Sequence, residues 1–164
     1  MGSYNYGKTE VLTWIRRNFT KDASILDVGA CDGKWRRFLL DFPNMDAVEI
    51  YAPRIWPLQG LYQNVFAGDI YDLKYDWYDL VIFGDVIEHM TVERAKAVLD
   101  YAKEHCRDMI VAVPFLYEQD EIGGNPWEKH VQDDLTREIF AERYPGLDVL
   151  CDAADDYCYY HKGV

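Results

Sequence analysis

The segment Asp27-Val28-Gly29-Ala30-Cys31-Asp32-Gly33 places two glycines and an acid at the end of a largely aliphatic stretch that begins at Ile25. Glycine lets a backbone turn sharply and approach a ligand closely, and the N–H groups of a following helix point into the same space. Such a turn suits a nucleotide-type cofactor. The dinucleotide pattern G-x-G-x-x-G fails here, because counted from Gly29 its second and third glycines fall on Cys31 and Lys34. The spacing acidic-x-G-x-G-x-G is met by Asp27, Gly29 and Gly33 and departs only at Cys31, a small residue. A literal phosphate-loop pattern, Gly2-x-x-x-x-Gly7-Lys8-Thr9, has only Met1 before it. No strand can anchor it, so nucleoside triphosphate binding there is rejected. Four more groups could do acid–base or binding work: Glu49, Asp69, the cluster Asp85-Val-Ile-Glu88-His89, and His130.

The elements that must position these groups alternate between strand and helix. Val11, Leu12, Ile15 and Phe19 share one helical face, which predicts a helix over Lys8 to Phe19. Strands are predicted at Ser24–Gly29, Asp46–Ile50, Asn64–Ala67, Asp79–Gly84 and Met109–Val113. Helices are predicted from Gly33 to Phe42, with Trp35, Phe38, Leu39 and Phe42 inward, and from Pro53 to Gln59. Thr91 and Thr136 are placed to cap two later helices, with Leu135 and Phe140 as a hydrophobic staple on the second. Residues 115–132 read as a loop, and two strands near 147–151 and 157–161 close the chain. Buried strands separated by helices imply a mainly parallel sheet covered on both faces. Ligands then bind at the C-terminal strand ends, where every group named above falls.

The glycine turn resembles motif I of class I S-adenosylmethionine-dependent methyltransferases, and the likeness extends along essentially the whole chain. It implies a Rossmann-like, doubly wound α/β fold with seven strands in the order 3-2-1-4-5-7-6, the last antiparallel. It also implies a single domain over residues 1–164 with a minimal substrate cap. The cofactor implied is S-adenosylmethionine, leaving as S-adenosylhomocysteine. Its contacts would come from Asp27, Gly29, Ala30, Cys31 and Gly33 in the turn, and from Glu49 and Ile50 after the second strand. Asp69 and Ile70 would follow the third strand, and Asp85 the fourth. In that family an acid at the position of Glu49 accepts both ribose hydroxyls, one at the position of Asp69 lies near the adenine amino group, and Asp85 would lie beside the methionine part. Asp79 to His89 resembles the family's fourth motif, including its Val-Ile-Glu-His ending. Tyr4 and Tyr6 are placed to close over the cofactor, as N-terminal residues do in related enzymes.

Methyl transfer from a sulfonium needs chiefly alignment of donor carbon and nucleophile. The charge on sulfur disperses as the methyl leaves, so excluding water helps. A base is needed only when the nucleophile carries a high-pKa proton, and Glu88, His89 and His130 are the candidates. Asp85-x-x-Glu88-His89 with a later histidine is also similar to the metal site of small-RNA 2′-O-methyltransferases, where the first acid is Glu rather than Asp. Two carboxylates and two imidazoles would suit a divalent ion. The net charge and the short chain argue against an RNA substrate, and the expectation is a site without metal. Tyr51, Trp56, Tyr62, Phe115, Tyr117 and Trp127 are candidates for the acceptor pocket. A valine at Gly29 is expected to block the ligand's path while leaving the fold intact.

Composition bounds the partners. The 164 residues carry 17 Lys+Arg against 29 Asp+Glu, a net charge of −12. Such a surface repels phosphate backbones and acidic membranes, so nucleic acid and membrane partners are not expected and a small neutral or cationic acceptor is. There is no run of 18 apolar residues and no basic, apolar leader. Cys31, Cys106, Cys151 and Cys158 form no C-x-x-C pair. They read as reduced thiols in a cytoplasmic protein. A methyltransferase-like binding subunit without activity is the principal alternative, and an NAD-dependent enzyme a weaker one.

Overall fold

Aliphatic runs with few charges become the central strands here because each must bury both faces. The computed structural model describes residues 5–163. Its strands are β1 (Ile25–Val28), β2 (Met45–Glu49), β3 (Val65–Ala67), β4 (Tyr78–Gly84), β5 (Cys106–Pro114), β6 (Leu147–Ala154) and β7 (Tyr157–Lys162). They form one sheet in the order β3-β2-β1-β4-β5-β7-β6. β1 to β5 run parallel, whereas β7 is antiparallel to both β5 and β6. The predicted order and strand directions are therefore observed.

The helices are α1 (Lys8–Asn18), α2 (Lys34–Phe38), α3 (Ala52–Leu58), α4 (Val92–His105) and α5 (Arg137–Arg143). Side chains alternate across each central strand. Leu26, Val81, Phe83, Met109 and Val111 pack with Ala95, Val98 and Leu99 of α4 and Phe140 of α5. Ile25, Leu80, Ile82 and Ile110 pack on the other face with Val11 and Ile15 of α1, Trp35 of α2 and Leu58 of α3. Thr91 caps α4 by accepting from Arg94 N, and Thr136 caps α5 by accepting from Ile139 N. Leu135 and Phe140 are both fully buried, as the staple requires. Among the described residues no helix is long and apolar enough to cross a membrane.

α2 ends at Phe38 rather than at the predicted Phe42. Leu39 leaves the helical region, and the Arg36 guanidinium donates to the Leu39 and Phe42 carbonyls at 2.8 and 3.2 Å. Those bonds satisfy carbonyls that no helix ending at Phe42 could pair internally, since its last four lack partners and Pro43 has no N–H. Leu39 and Phe42 stay buried in the resulting turn, but Phe38, predicted inward, is partly exposed. Chain winding reverses between β1 and β4, which leaves a crevice at their C-terminal ends.

Candidate functional site

The ends of β1, β2, β3 and β4 open into one cavity of about 380 Å³. Gly29 to Asp32 form one wall, Glu49 and Ile50 a second, Gly68 to Ile70 a third, and Gly84 to Val86 the fourth. Among the described residues no bulky side chain fills it. Of the sequence-predicted cofactor residues, Gly29, Ala30, Cys31, Glu49, Ile50, Asp69, Ile70 and Asp85 line this space. Asp27 and Gly33 do not, and their task is to hold the turn.

Glu49 is held in the wall by two backbone groups. Its carboxylate is 3% exposed. Oε2 accepts from Cys31 N at 2.8 Å and Oε1 from Tyr51 N at 2.8 Å. Each carboxylate oxygen can accept a further bond, so a diol edge can still dock there. The anchor bond fastens the glycine turn to the end of β2, and it needs the backbone bent sharply. Gly29 sits at φ 66° and Cys31 at φ 54°. Cys31 thus occupies the left-handed conformation that the motif's missing glycine would adopt, which is why that position favours glycine. Cys31→Gly is expected to leave ligand affinity unchanged, because the backbone N–H makes the bond. A loss of about tenfold or more in calorimetric titration would refute this.

Asp27 lies under the turn, buried beside Tyr62 rather than in the cavity. Its Oδ2 accepts from Tyr62 Oη at 2.5 Å, while Oδ1 has no partner. Burial pushes its pKa up to about 7, against the Tyr62 hydrogen bond, which lowers it. Burial likewise brings Lys8 down to about 7, opposed by Asp85. The Lys8 ammonium group stacks 3.6 Å from the Trp35 ring centroid. A carboxyl raised from 3.8 to about 7 stays protonated in the folded chain after the unfolded chain has released its proton. Its contribution is therefore full below pH 3.8 and is lost as pH rises towards 7. Tyr62→Phe removes the remaining donor and raises Asp27 further. The expected cost is about 1–3 kcal/mol at pH 8 and less at pH 5. Melting curves at the two pH values check this, and an equal loss at both would refute it.

Asp69 is committed on both sides. Oδ1 accepts from Tyr71 N at 2.9 Å and Oδ2 from Arg94 at 2.5 Å. Arg94, which lies over the Tyr71 ring, and Arg54, paired with Glu128 at 2.6 Å, both line the cavity. Sequence reasoning missed both arginines and Asn125, since nothing in their local spacing signals the approach of residues 125–131 to β4. Asp85 adopts φ 56° and accepts from Tyr157 Oη at 2.6 Å.

Glu88 and His89 lie in a 3-10 turn, Ile87–His89, and only His89 reaches the cavity wall. Glu88 is 1% exposed, and burial followed by Asp85 pushes its pKa well up. Burial lowers His89 to about 4 and also lowers His130. The structure brings His130 to this turn across more than 40 residues, with the imidazole rings of His89 and His130 4.7 Å apart. Of the predicted acceptor-pocket aromatics, only Trp127 lines the cavity. Tyr62 is spent on Asp27, Phe115 packs in the core, and Trp56 is 82% exposed, pointing to solvent. Tyr6 is exposed and off the cavity wall, and Tyr4 lies outside the described residues.

No family model and no curated protein matches the sequence. Solved structures match the fold. An S-adenosylmethionine-dependent methyltransferase from Clostridium acetobutylicum superposes with a TM-score of 0.72 at 14% identity, over 98% of this chain and 92% of that one. The complex of DhpI with SAM and HEP gives 0.71 at 16% identity, over 94% and 84%. The pyocyanin biosynthetic protein PhzM gives 0.66 at 13% identity over 94% of this chain, which spans about half (54%) of that one. The seven-stranded chain therefore has the Rossmann-like fold seen in these methyltransferases.

Proposed function

We propose that the cavity binds S-adenosylmethionine and that the chain transfers its methyl group to a small acceptor. The observation that carries this is Glu49, a carboxylate fixed by two backbone N–H groups opposite a left-handed glycine turn. That pairing suits a ribose diol on one side and close backbone approach to the rest of the nucleoside on the other. Gly68 to Ile70 form the adenine side, Gly68 with open space where a side chain would stand. Asp85 and the turn's backbone take the methionine end. The cofactor supplies the activated methyl. The protein holds the donor in line with the nucleophile and keeps water away.

The acceptor end is edged by His89, Met90, Trp127 and Val131. A narrow apolar edge of this kind suits a small molecule, and the net charge of −12 favours a neutral or cationic one. One matched structure is named as a sugar N-methyltransferase and another as a mitomycin 7-O-methyltransferase, which supports a small acceptor here. Parallel calorimetric titrations with S-adenosylmethionine and NAD test the reading. Binding of the first and not the second is expected. Binding of NAD alone, or of neither, overturns it. Binding without transfer to any member of an acceptor panel would identify a methyltransferase-like binding subunit instead.

A further inference from the structure

We propose that Glu88, His89 and His130 form a binding site for one divalent first-row transition-metal ion of the zinc type, at the acceptor end of the cavity. The ligand atoms these three residues offer all lie within 4.8 Å of one another. The backbone holds them together: Val131 N and Gln132 N donate to the Glu88 carbonyl at 2.8 and 3.0 Å, and the Gln132 side chain donates to the Ile87 and Met90 carbonyls.

Two features point to a cation. The first is the tautomers. His89 Nδ1 lies 3.1 Å from the Lys129 carbonyl and His130 Nδ1 lies 2.7 Å from the Tyr117 carbonyl. A carbonyl only accepts, so each Nδ1 carries the hydrogen and each Nε2 presents a lone pair. Metal-binding histidines are oriented in this way by a carbonyl behind the ring. The second is the Glu88 carboxylate, 1% exposed with no hydrogen-bond partner on either oxygen. A carboxylate buried without a donor is costly, and a bound cation supplies the missing partner. Zinc-type bonds of about 2.0–2.2 Å place neighbouring ligand atoms roughly 3–3.5 Å apart, so the three side chains close by about 1 Å on binding.

Asp85 stands apart from the cluster, its carboxylate accepting from Tyr157. The ligand set is thus two imidazoles and one carboxylate. It differs from the two-carboxylate, two-imidazole set of the small-RNA enzymes. Three protein ligands leave a coordination position open, and His89 places the ion at the cavity wall. Nitrogen ligands favour zinc over magnesium, which prefers oxygen. The inference does not rest on the cofactor assignment.

Chelator-stripped, untagged protein dialysed against Zn²⁺ or Mg²⁺ without cofactor, then analysed for metal, tests the site. One Zn²⁺ and no Mg²⁺ per chain is expected. Glu88→Gln and His130→Ala, singly and together, should lower zinc affinity by at least about 10–100-fold, whereas His105→Ala, a histidine outside the cluster and the cavity, should bind zinc like the wild type. Cobalt loading of the wild-type chain gives an answer even if a variant fails to fold. Visible d–d bands without a thiolate charge-transfer band support the site. No zinc in the wild type, binding of magnesium alone, zinc retained by the folded double variant, or a thiolate band would each overturn it.

Discussion

Glu49→Ala is expected to weaken S-adenosylmethionine binding by about 100-fold or more. Two ribose hydroxyls donate to the carboxylate in the proposed complex, and hydrogen bonds to a charged group are worth roughly 1.5–3 kcal/mol each. Losing both costs about 3–6 kcal/mol, and each 1.4 kcal/mol is about tenfold. The same substitution frees the N–H groups of Cys31 and Tyr51, which Glu49 now holds at 2.8 Å. The turn then loses its tie to β2, which adds to the loss. Glu49→Gln separates the two effects. Its amide oxygen can retain one backbone bond, while the second loses its acceptor, so an intermediate affinity is expected. Calorimetric titration of both variants measures this, and unchanged affinity in Glu49→Ala would refute the site.

Gly29→Val is expected to destabilise the whole chain by about 3 kcal/mol or more. The sequence alone suggested a blocked ligand path in an intact fold, and the structure corrects this. A Cβ at Gly29 would stand 2.8 Å from Val86 Cγ2, inside the wall rather than in the cavity. Gly29 also sits at φ 66°. A left-handed backbone costs an L-residue about 1–2 kcal/mol, and a β-branched one more. Overpacking against Val86 adds roughly 1–3 kcal/mol. For a chain of this size each 1 kcal/mol moves the melting temperature by about 2–4 °C. A folded variant melting within that margin of the wild type would overturn the prediction. Gly29→Ala should show a smaller loss.

The half of the cavity proposed for the cofactor was legible because its residues are tied to strand ends. Glu49, Asp69 and Asp85 lie at or just after the ends of three parallel strands, so the sheet delivers them to one edge. Even the departure at Cys31 was legible in part: the spacing marked a glycine position, and the structure shows the left-handed backbone that makes it one. The place of Asp27 behind the cavity wall was not legible, because motif spacing does not say which face of a strand a side chain takes. Alternation along β1 turns it to the α1 side, beneath the turn. The end proposed for the acceptor was much less legible. Trp56, Tyr62 and Phe115 looked equivalent to Trp127 as aromatic residues near strand ends, and only packing separates them.

By itself, the order of aliphatic and amphipathic segments determined the sheet, its winding and the edge where the cavity opens, because strand burial and right-handed crossovers leave few alternatives. Tertiary structure alone decided how residues 115–132 lie. It brought His130 to Glu88, paired Arg54 with Glu128 and kept Asp85 on Tyr157. These contacts join residues far apart in the chain through bonds that no local periodicity encodes. They depend on how the sheet spaces the elements that carry them.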